Sequence, residues 1–224
     1  MKNLVTKGDI IRKGAEAYLY HGSWFDKEVI FKYRIPKKYR LKELDDEIRI
    51  KRTINEARAL IKVKNYGINC PQVYDIDIEH SIIIMKFIHG SKLKDILTTL
   101  EDKKKKDYFN KIGKTIAILH KNGHIHGDIT TSNLIVTDRE EIFIIDFGLH
   151  EYSNSIEDKS VDLHLFKRVL ISSHGDDFNL CFGAFLEGYQ MEYDREDPNE
   201  GKLIVKNISN IETRGRYIKK KERL

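Results

Sequence analysis

The sequence predicts an α+β fold in two parts, an antiparallel sheet with one long helix followed by a reduced, mainly helical region. Residues 5–34 and 73–87 contain short β-type runs, whereas residues 46–66 carry apolar side chains at helical spacing. After Gly90 the helical pattern dominates. We therefore predict three regions: a first lobe over residues 1–88, a reduced helical lobe over residues 89–213 and a basic tail over residues 214–224.

Length and composition limit the class of protein. The 224 residues are enough for one large domain or two small lobes. Cys70 and Cys181 lie far apart in unrelated contexts, so we expect two buried thiols in a reducing compartment and no disulfide framework. No apolar run approaches the ~20 residues that span a bilayer. Residues 1–8 also lack the apolar core of a signal peptide. We expect a cytoplasmic protein with no membrane contact.

The net charge is concentrated at the C-terminus. Residues 214–224 contain six basic residues and one acidic residue, which accounts for the whole net charge of +5. A basic terminal block is often only a solvated end. The alternative is an arm that contacts RNA phosphates or an acidic patch on a partner.

The most informative segment is residues 126–133, with the sequence His-Gly-Asp-Ile-Thr-Thr-Ser-Asn, followed by Asp146-Phe147-Gly148. In H-x-D-x-x-x-x-N the aspartate accepts the proton of a substrate hydroxyl and the asparagine binds Mg²⁺. The aspartate of the later D-F-G binds the metal that bridges the ATP phosphates. Each motif alone occurs by chance, but both in this order indicate a protein-kinase-like phosphotransferase. We assign Asp128 as the catalytic base and Asn133 and Asp146 as metal ligands.

The segment between these motifs predicts a hairpin. Residues 134–137 and 142–145 are apolar and flank the polar turn 138–141. A hairpin would bring Asn133 and Asp146 to the same end of the sheet.

A candidate phosphate-binding lysine precedes the long helix. Lys32 ends the run Val-Ile-Phe-Lys, which matches the V-A-I-K strand of kinases. Glu56 lies at the edge of the apolar stripe of the helix, where it could pair with Lys32; the alternative is a surface glutamate. The residues of that stripe, with the glycine that ends the helix, are Ile50, Ile54, Ala57, Ile61 and Gly67.

The remaining nucleotide-contacting residues come from turns and strands. The small-residue turn at Lys13–Ala17 has one glycine, so it is either a phosphate loop or an ordinary hairpin turn. The run 81–90 predicts a strand leading into the hinge between the lobes. The assigned residues are Ile11, Gly14, Ala15, Glu16, Met85, Lys86, Ile88, Ile135 and Ile145.

Helical periodicity continues to residue 212. We predict helices over residues 93–100, 108–121, 158–173, 178–189 and 198–212, with 101–107 as a charged connection. In the helix 158–173 the side chains expected to face inward are Val161, Leu165, Val169 and Leu170.

Several of these segments resemble the small atypical serine/threonine kinases of the KEOPS complex. The similarity runs over essentially the whole chain. RIO-type kinases and aminoglycoside-type phosphotransferases share the H-x-D…N chemistry, but not the Thr-Thr-Ser-Asn string or the insert before the helix. The matching segments are His126–Asn133, Lys13–Ala17, Ile35–Arg40 with Leu44-Asp45, Arg52–Arg58, Asp162-Leu163-His164 and Arg214–Arg216.

The resemblance implies a protein that binds ATP and Mg²⁺, phosphorylates serine or threonine and acts as an ATPase within its complex. That complex makes the N⁶-threonylcarbamoyl modification of adenosine in tRNA. The expected direct partner is the threonylcarbamoyl-transferase subunit, with other KEOPS subunits and tRNA, the latter through the complex and the basic tail. In some archaea the kinase and the transferase are fused.

The sequence also departs from ordinary protein kinases. Gly127 replaces the arginine of H-R-D, no A-P-E motif occurs, and only fifteen residues separate Asp146 from Asp162. The region after D-F-G is therefore too short for an activation loop or a peptide-docking shelf, and we expect control by a binding partner.

Two other functions remain open. A nucleotide-binding pseudokinase scaffold would usually lack at least one of Lys32, Glu56, Asp128, Asn133 and Asp146, all of which are present. A small-molecule phosphotransferase is expected to have an acidic substrate pocket after the D-F-G, for which Glu151, Glu157 and Asp158 are few. A RIO-like phosphotransferase is a further alternative.

Overall fold

The structure is a computed structural model that describes the backbone of residues 5–221 and the side chains of residues 8–214. It divides into two compact units. The first comprises Met1–His89 with Phe143–Gly148, and the second comprises Gly90–Ile142 with Leu149–Leu224. The D-F-G segment, which the sequence analysis placed in the second lobe, belongs to the first unit.

The first unit contains a five-stranded antiparallel sheet with the order β1-β2-β3-β5-β4 and one long helix. The antiparallel sheet and the long helix agree with the α+β class predicted from the sequence. The elements are β1 (Val5–Lys13), β2 (Ala17–Trp24), β3 (Lys27–Arg34), α1 (Lys42–Lys64), β4 (Val73–Asp77) and β5 (Ile82–Lys86).

The buried face of α1 differs from the predicted stripe. Ala57 is buried as expected, but Ile61 is 51% exposed. The buried side chains follow a neighbouring stripe at the same helical spacing, formed by Thr53, Glu56, Ala57, Leu60 and Val63. Glu56 therefore lies within the buried face and not at its edge.

The second unit is mainly helical. Its short strands form antiparallel pairs, β7 with β10 and β6 with β8. Its elements are β6 (Ser91–Lys92), α2 (Leu93–Ile96), α3 (Asp102–Lys121), β7 (His124–Ile125), β8 (Leu134–Val136), β9 (Ile142–Ile144, which ends in the first unit), β10 (Glu151–Tyr152), α4 (Ile156–Ser173), α5 (Phe178–Tyr193) and α6 (Pro198–Lys221).

The core of α4 also differs from the prediction. Leu163, Phe166 and Leu170 are fully buried, and Phe166 packs against Phe109 and Phe185. Of the four side chains expected to face inward only Leu170 does so, since Leu165 is 40% exposed. The others, Val161 and Val169, are half-buried. The side chains at steps of four, Val161, Leu165 and Val169, lie beside the buried face of α4. They line the surface near the loop at residues 126–133.

Two charged segments are more regular than the sequence analysis predicted. The lysine run at 103–106 belongs to α3. Within this run Lys105 is buried, and its Nζ lies 2.8 Å from Asp177 Oδ1. In addition, α6 continues through Lys221, so residues 214–221 extend a helix that the sequence ended at 212. The last three residues, and the side chains of 215–221, lie outside the described residues.

Two expectations about bulk properties can be compared with the structure. Cys70 and Cys181 are both buried and free, which confirms the prediction of packed thiols. Within residues 5–221, none of the helices is long and apolar enough to cross a membrane.

Candidate active site

Strand β3 places two cations on one face of the sheet. Side chains alternate along a strand, so Lys32 and Arg34 point in the same direction. Both contact Glu56 on α1: Lys32 Nζ lies 2.5 Å from Oε1, and Arg34 Nη2 lies 2.5 Å from Oε2. All three side chains are at most 7% exposed. The ion pair predicted between Lys32 and Glu56 is present. The second ion pair, between Arg34 and Glu56, was not predicted from the sequence.

Asp146 extends this cluster within the first unit. Its Oδ1 lies 2.7 Å from Lys32 Nζ and accepts a hydrogen bond of 3.3 Å from the Gly148 N–H. The Asp146 backbone has φ of +67°, a left-handed conformation that aspartate tolerates better than most residues and that is frequent at functional sites. Its side chain is 38% exposed, which leaves the carboxylate accessible.

The charge state of Lys32 follows from its surroundings. Burial alone would lower the pKa of Lys32, but the carboxylates of Glu56 and Asp146 outweigh burial and raise this pKa above its ordinary value. Lys32 is therefore protonated at neutral pH and can donate to an anion.

The turn at residues 14–16 is held by several contacts. The Gly14 N–H donates to the Ala17 carbonyl at 3.0 Å, and the Ile35 N–H donates to the Glu16 carbonyl at 3.3 Å. Lys37 Nζ binds the Ala15 carbonyl, and Arg52 pairs with Glu16 at 2.9 Å. The Gly14 amide is thus used within the turn, as in an ordinary hairpin, so a phosphate would have to displace that bond. Ile11, on β1, is 52% exposed.

The predicted hinge follows strand β5. Met85 and Ile88 are buried, whereas Lys86 is exposed. The Lys86 N–H donates to the Gln72 carbonyl at 2.8 Å, so recognition of a ligand at Lys86 would fall to its carbonyl oxygen. Ile145, beside Asp146, is half-buried.

In the second unit, the loop at residues 126–133 is held by hydrogen bonds between its own residues. Asn133 ends a 3₁₀ turn, and its Nδ2 donates to both the Asp128 carbonyl (3.0 Å) and Asp128 Oδ2 (2.9 Å). In this orientation Asn133 Oδ1 takes no part in these two bonds. Asp128 is half-buried, and Ile135 lies half-buried on β8.

A buried carboxylate on α4 supports the loop from beneath. Asp162 Oδ2 accepts the His126 N–H at 2.9 Å, and its Oδ1 accepts the Gly127 N–H at 2.9 Å. His120 on α3 completes this network, since its Nε2 lies 3.2 Å from Asp162 and its Nδ1 lies 2.8 Å from the Tyr189 hydroxyl. No role for Asp162 or His120 was predicted from the sequence. The available signal was a carboxylate inside the apolar run Val161-Asp162-Leu163.

The structure explains the glycine that replaces arginine in the catalytic loop. Gly127 has φ of +80°, and a Cβ at this position would lie 2.5 Å from the Leu149 carbonyl oxygen. A side chain here would therefore be strained and would collide with backbone.

We expect Gly127→Ala to lower the free energy of unfolding by about 2 kcal/mol or more, from the left-handed backbone and the contact with Leu149. Urea denaturation measures this change. The matched control is Gly183→Ala in α5, where a Cβ meets nothing within 4 Å and should stabilise the helix by roughly 0.5–1 kcal/mol. Equal effects of the two substitutions would contradict this account of Gly127.

A surface cavity of about 340 Å³ adjoins Asp128. Asp128 and Gly127 form one side, and Leu165, Arg168 and Val169 of α4 form the other. The side chains of α4 that do not join the core therefore form a partly apolar depression beside Asp128.

The available donors fit a magnesium ion that is held partly by phosphate. Within the described part of the chain, no group of three or more His, Cys, Asp or Glu side chains could bind a metal by itself. Mg²⁺ uses oxygen ligands and is usually held by one or two protein ligands together with substrate phosphates. The carboxylate of Asp146 in the first unit and, separately, the amide oxygen of Asn133 in the second unit are ligand groups of this kind.

Comparison with known proteins identifies the class to which this fold and these residues belong. The RIO domain family matches residues 26–155. The chain therefore belongs to the RIO-domain family of atypical kinases.

Individual relatives narrow the similarity. The chain is 41% identical over 214 residues to the KEOPS complex subunit Bud32 of Pyrococcus abyssi. The aligned region covers 93% of this chain and 96% of that protein. It is 42% identical to a probable bifunctional tRNA threonylcarbamoyladenosine biosynthesis protein of Methanocaldococcus jannaschii, covering 93% of this chain and 37% of the relative. A protein of the same description from Methanosphaera stadtmanae is 41% identical, with 96% and 38% covered. The chain thus spans less than two fifths of these bifunctional relatives.

Proposed function

We propose that this chain is an ATP- and Mg²⁺-dependent atypical kinase and ATPase that acts as the Bud32-type subunit of a KEOPS complex in tRNA threonylcarbamoyladenosine synthesis. The observation that carries this proposal is the intact ion-pair cluster of Lys32, Glu56 and Asp146, since a pseudokinase scaffold has no need to retain it. The similarity to the Pyrococcus subunit over nearly the full length of both proteins supports the assignment to the complex.

The nucleotide would be bound by residues with distinct chemical roles. Lys32, kept protonated by its two carboxylates, donates to the α- and β-phosphates. The adenine edge binds the Lys86 carbonyl and the Ile88 N–H. Asn133 and Asp146 hold Mg²⁺, which neutralises the charge of the phosphates when bound. The small turn Gly14, Ala15 and Glu16 would cover the phosphates, and apolar contacts come from Ile11, Met85, Ile135 and Ile145.

Asp128 would serve as the base. The acceptor oxygen attacks the γ-phosphorus, its proton passes to the Asp128 carboxylate, and the bond to the ADP oxygen breaks. The hydrogen bond from Asn133 Nδ2 holds Asp128 Oδ2 in place, so Oδ1 is the oxygen for the proton. A serine or threonine hydroxyl is the acceptor in the kinase reaction, and water is the acceptor in the ATPase reaction. The cavity beside Asp128 offers room for either acceptor.

Partners follow from the lengths of the relatives. In the bifunctional relatives a chain like this one makes up only 37–38% of the protein, which leaves room for a second, fused activity. We propose the threonylcarbamoyl-transferase subunit as the direct partner and other KEOPS subunits as further partners, all in the cytoplasm. The basic C-terminal residues provide a contact for tRNA phosphates, in agreement with the charge concentrated there.

Labelled ATP and Mg²⁺, with and without the transferase subunit and tRNA, test this function. We expect phosphate release that the partner stimulates. Lys32→Ala should weaken ATP binding and turnover together, because Lys32 contacts the phosphates. Asp128→Ala should retain ATP binding but lose transfer, because Asp128 orients the acceptor. Calorimetry of ATP binding measures the first difference, and release of labelled phosphate measures the second.

The possible outcomes separate the competing functions. ATP binding without turnover under every condition would indicate a scaffold. Turnover stimulated by a small-molecule acceptor but not by the partner would indicate a small-molecule phosphotransferase. A larger loss of ATP affinity in Asp128→Ala than in Lys32→Ala would reverse the roles of these two residues.

A further inference from the structure

Arg34 is a buried charged residue that is not among the residues assigned to nucleotide or metal binding. Only 3% of it is exposed, and both hydrogen bonds that its side chain makes within the described residues go to α1. Its Nη2 lies 2.5 Å from Glu56 Oε2 and 3.4 Å from the Arg52 carbonyl. Its own carbonyl accepts a bond of 3.4 Å from Arg49 Nη1, also on α1. Arg34 thus joins the end of β3 to three successive turns of this helix.

The cluster around Glu56 is balanced in charge. Lys32 and Arg34 carry two positive charges, and Glu56 and Asp146 carry two negative charges. Each oxygen of Glu56 has its own cation, Oε1 with Lys32 and Oε2 with Arg34. Without Arg34, the negative charge of the buried Glu56 would act on Lys32 alone. Glu56 Oε2 would also lose its partner.

We propose that Arg34 is a positioning residue that anchors Glu56, and with it α1, to β3 independently of Lys32. The lysine then does not need to hold the helix and remains available to the phosphates. This inference deepens the proposed function and rests on it for the role of Lys32. The anchoring itself depends only on contacts within the first unit.

Hydrogen exchange of α1 tests the anchoring without any assay of activity. The readout is the protection of amides 56–63 in the full chain, with Glu56→Gln as the reference for loss of the ion pairs. In Lys32→Met we expect these amides to exchange at a rate within about twofold of the parent, because Arg34 still holds Glu56. We expect Arg34→Met to exchange about tenfold faster or more. Loss of protection in Lys32→Met equal to that in Glu56→Gln would overturn the proposal.

Nucleotide kinetics test whether the anchoring serves Lys32. In Arg34→Met the KM for ATP should rise by about tenfold, with a smaller fall in kcat, since Lys32 is drawn to Glu56 and Asp146. Arg34→Lys restores a cation beside Glu56 Oε2 and should recover both the protection of α1 and most of the KM. If Arg34→Lys folds but behaves like the methionine variant in both measurements, the proposal that Arg34 shares the charge of Glu56 with Lys32 is wrong.

Arg40→Met is the matched control for simple loss of stability. Arg40 is another largely buried arginine of the first unit, and it pairs with Asp45 at 3.4 Å and not with Glu56. We expect it to lower the melting temperature while leaving the KM for ATP within about twofold of the parent. Equal rises of KM in Arg34→Met and Arg40→Met would show a purely structural role for Arg34. If the parent chain has no ATP turnover, the proposed function fails, while the exchange experiment still decides the anchoring.

Discussion

Replacing Asp146 with alanine is expected to abolish nucleotide turnover, by orders of magnitude in rate. Phosphoryl transfer depends on positioning and on neutralising charge, and Asp146 provides the carboxylate of the proposed Mg²⁺ site. The same substitution removes one of the two partners of Lys32, whose Nζ lies 2.7 Å from Asp146 Oδ1. Release of labelled phosphate at saturating ATP and Mg²⁺ measures the effect.

The fold should survive this substitution. Asp146 is 38% exposed, and Lys32 retains its contact with Glu56. A circular dichroism melt should therefore stay within a few degrees of the parent. Asp158→Ala, at an exposed aspartate of α4, serves as the activity control. Turnover of Asp146→Ala within tenfold of the parent would refute the metal-ligand assignment.

The largest loss of stability is expected for Asp162→Asn. The Asp162 side chain is fully buried and accepts bonds from His120 and from the N–H groups of His126 and Gly127. An amide would turn its NH₂ group toward one of these donors, which leaves buried polar groups unpaired. Breaking a buried charged network costs about 3–5 kcal/mol. Urea denaturation should show this loss, and the catalytic loop should lose protection from hydrogen exchange.

The dependence on pH provides a second readout of the same residue. Burial alone would raise the pKa of Asp162, but the bonds and positive charge of His120 and His126 hold this pKa below its ordinary value. A lowered pKa in the folded state stabilises the protein above the ordinary aspartate pKa, and this contribution is lost as pH falls through the folded value. The parent should therefore lose stability in acid more steeply than Asp162→Asn. Parallel acid profiles for the parent and Asp162→Asn would contradict the assignment.

Much of the architecture could be predicted because it depends on local patterns. The strand ending at Lys32, the helix carrying Glu56 and the two apolar strands around the turn 138–141 are present, with ends shifted by a few residues. These elements are specified by periodicity and turn residues over short distances. The wrong assignments concern which face of a helix is buried. In α1 and α4 two adjacent apolar stripes compete, and the neighbouring elements decide between them, as exposed Ile61 and Leu165 show.

The sequence by itself determined the residues on which the proposed chemistry depends: the order and spacing of Asp128, Asn133 and Asp146, and the lysine at the end of a strand. These features are read from residue type and separation along the chain. Only the tertiary structure decided how the charges are paired and supported. Arg34 shares Glu56 across 22 residues, and Asp162 holds the Gly127 amide across 35 residues. Such partners meet because packing removes them from water, where an unpaired charge is costly, and no local pattern specifies which of many charged residues will meet.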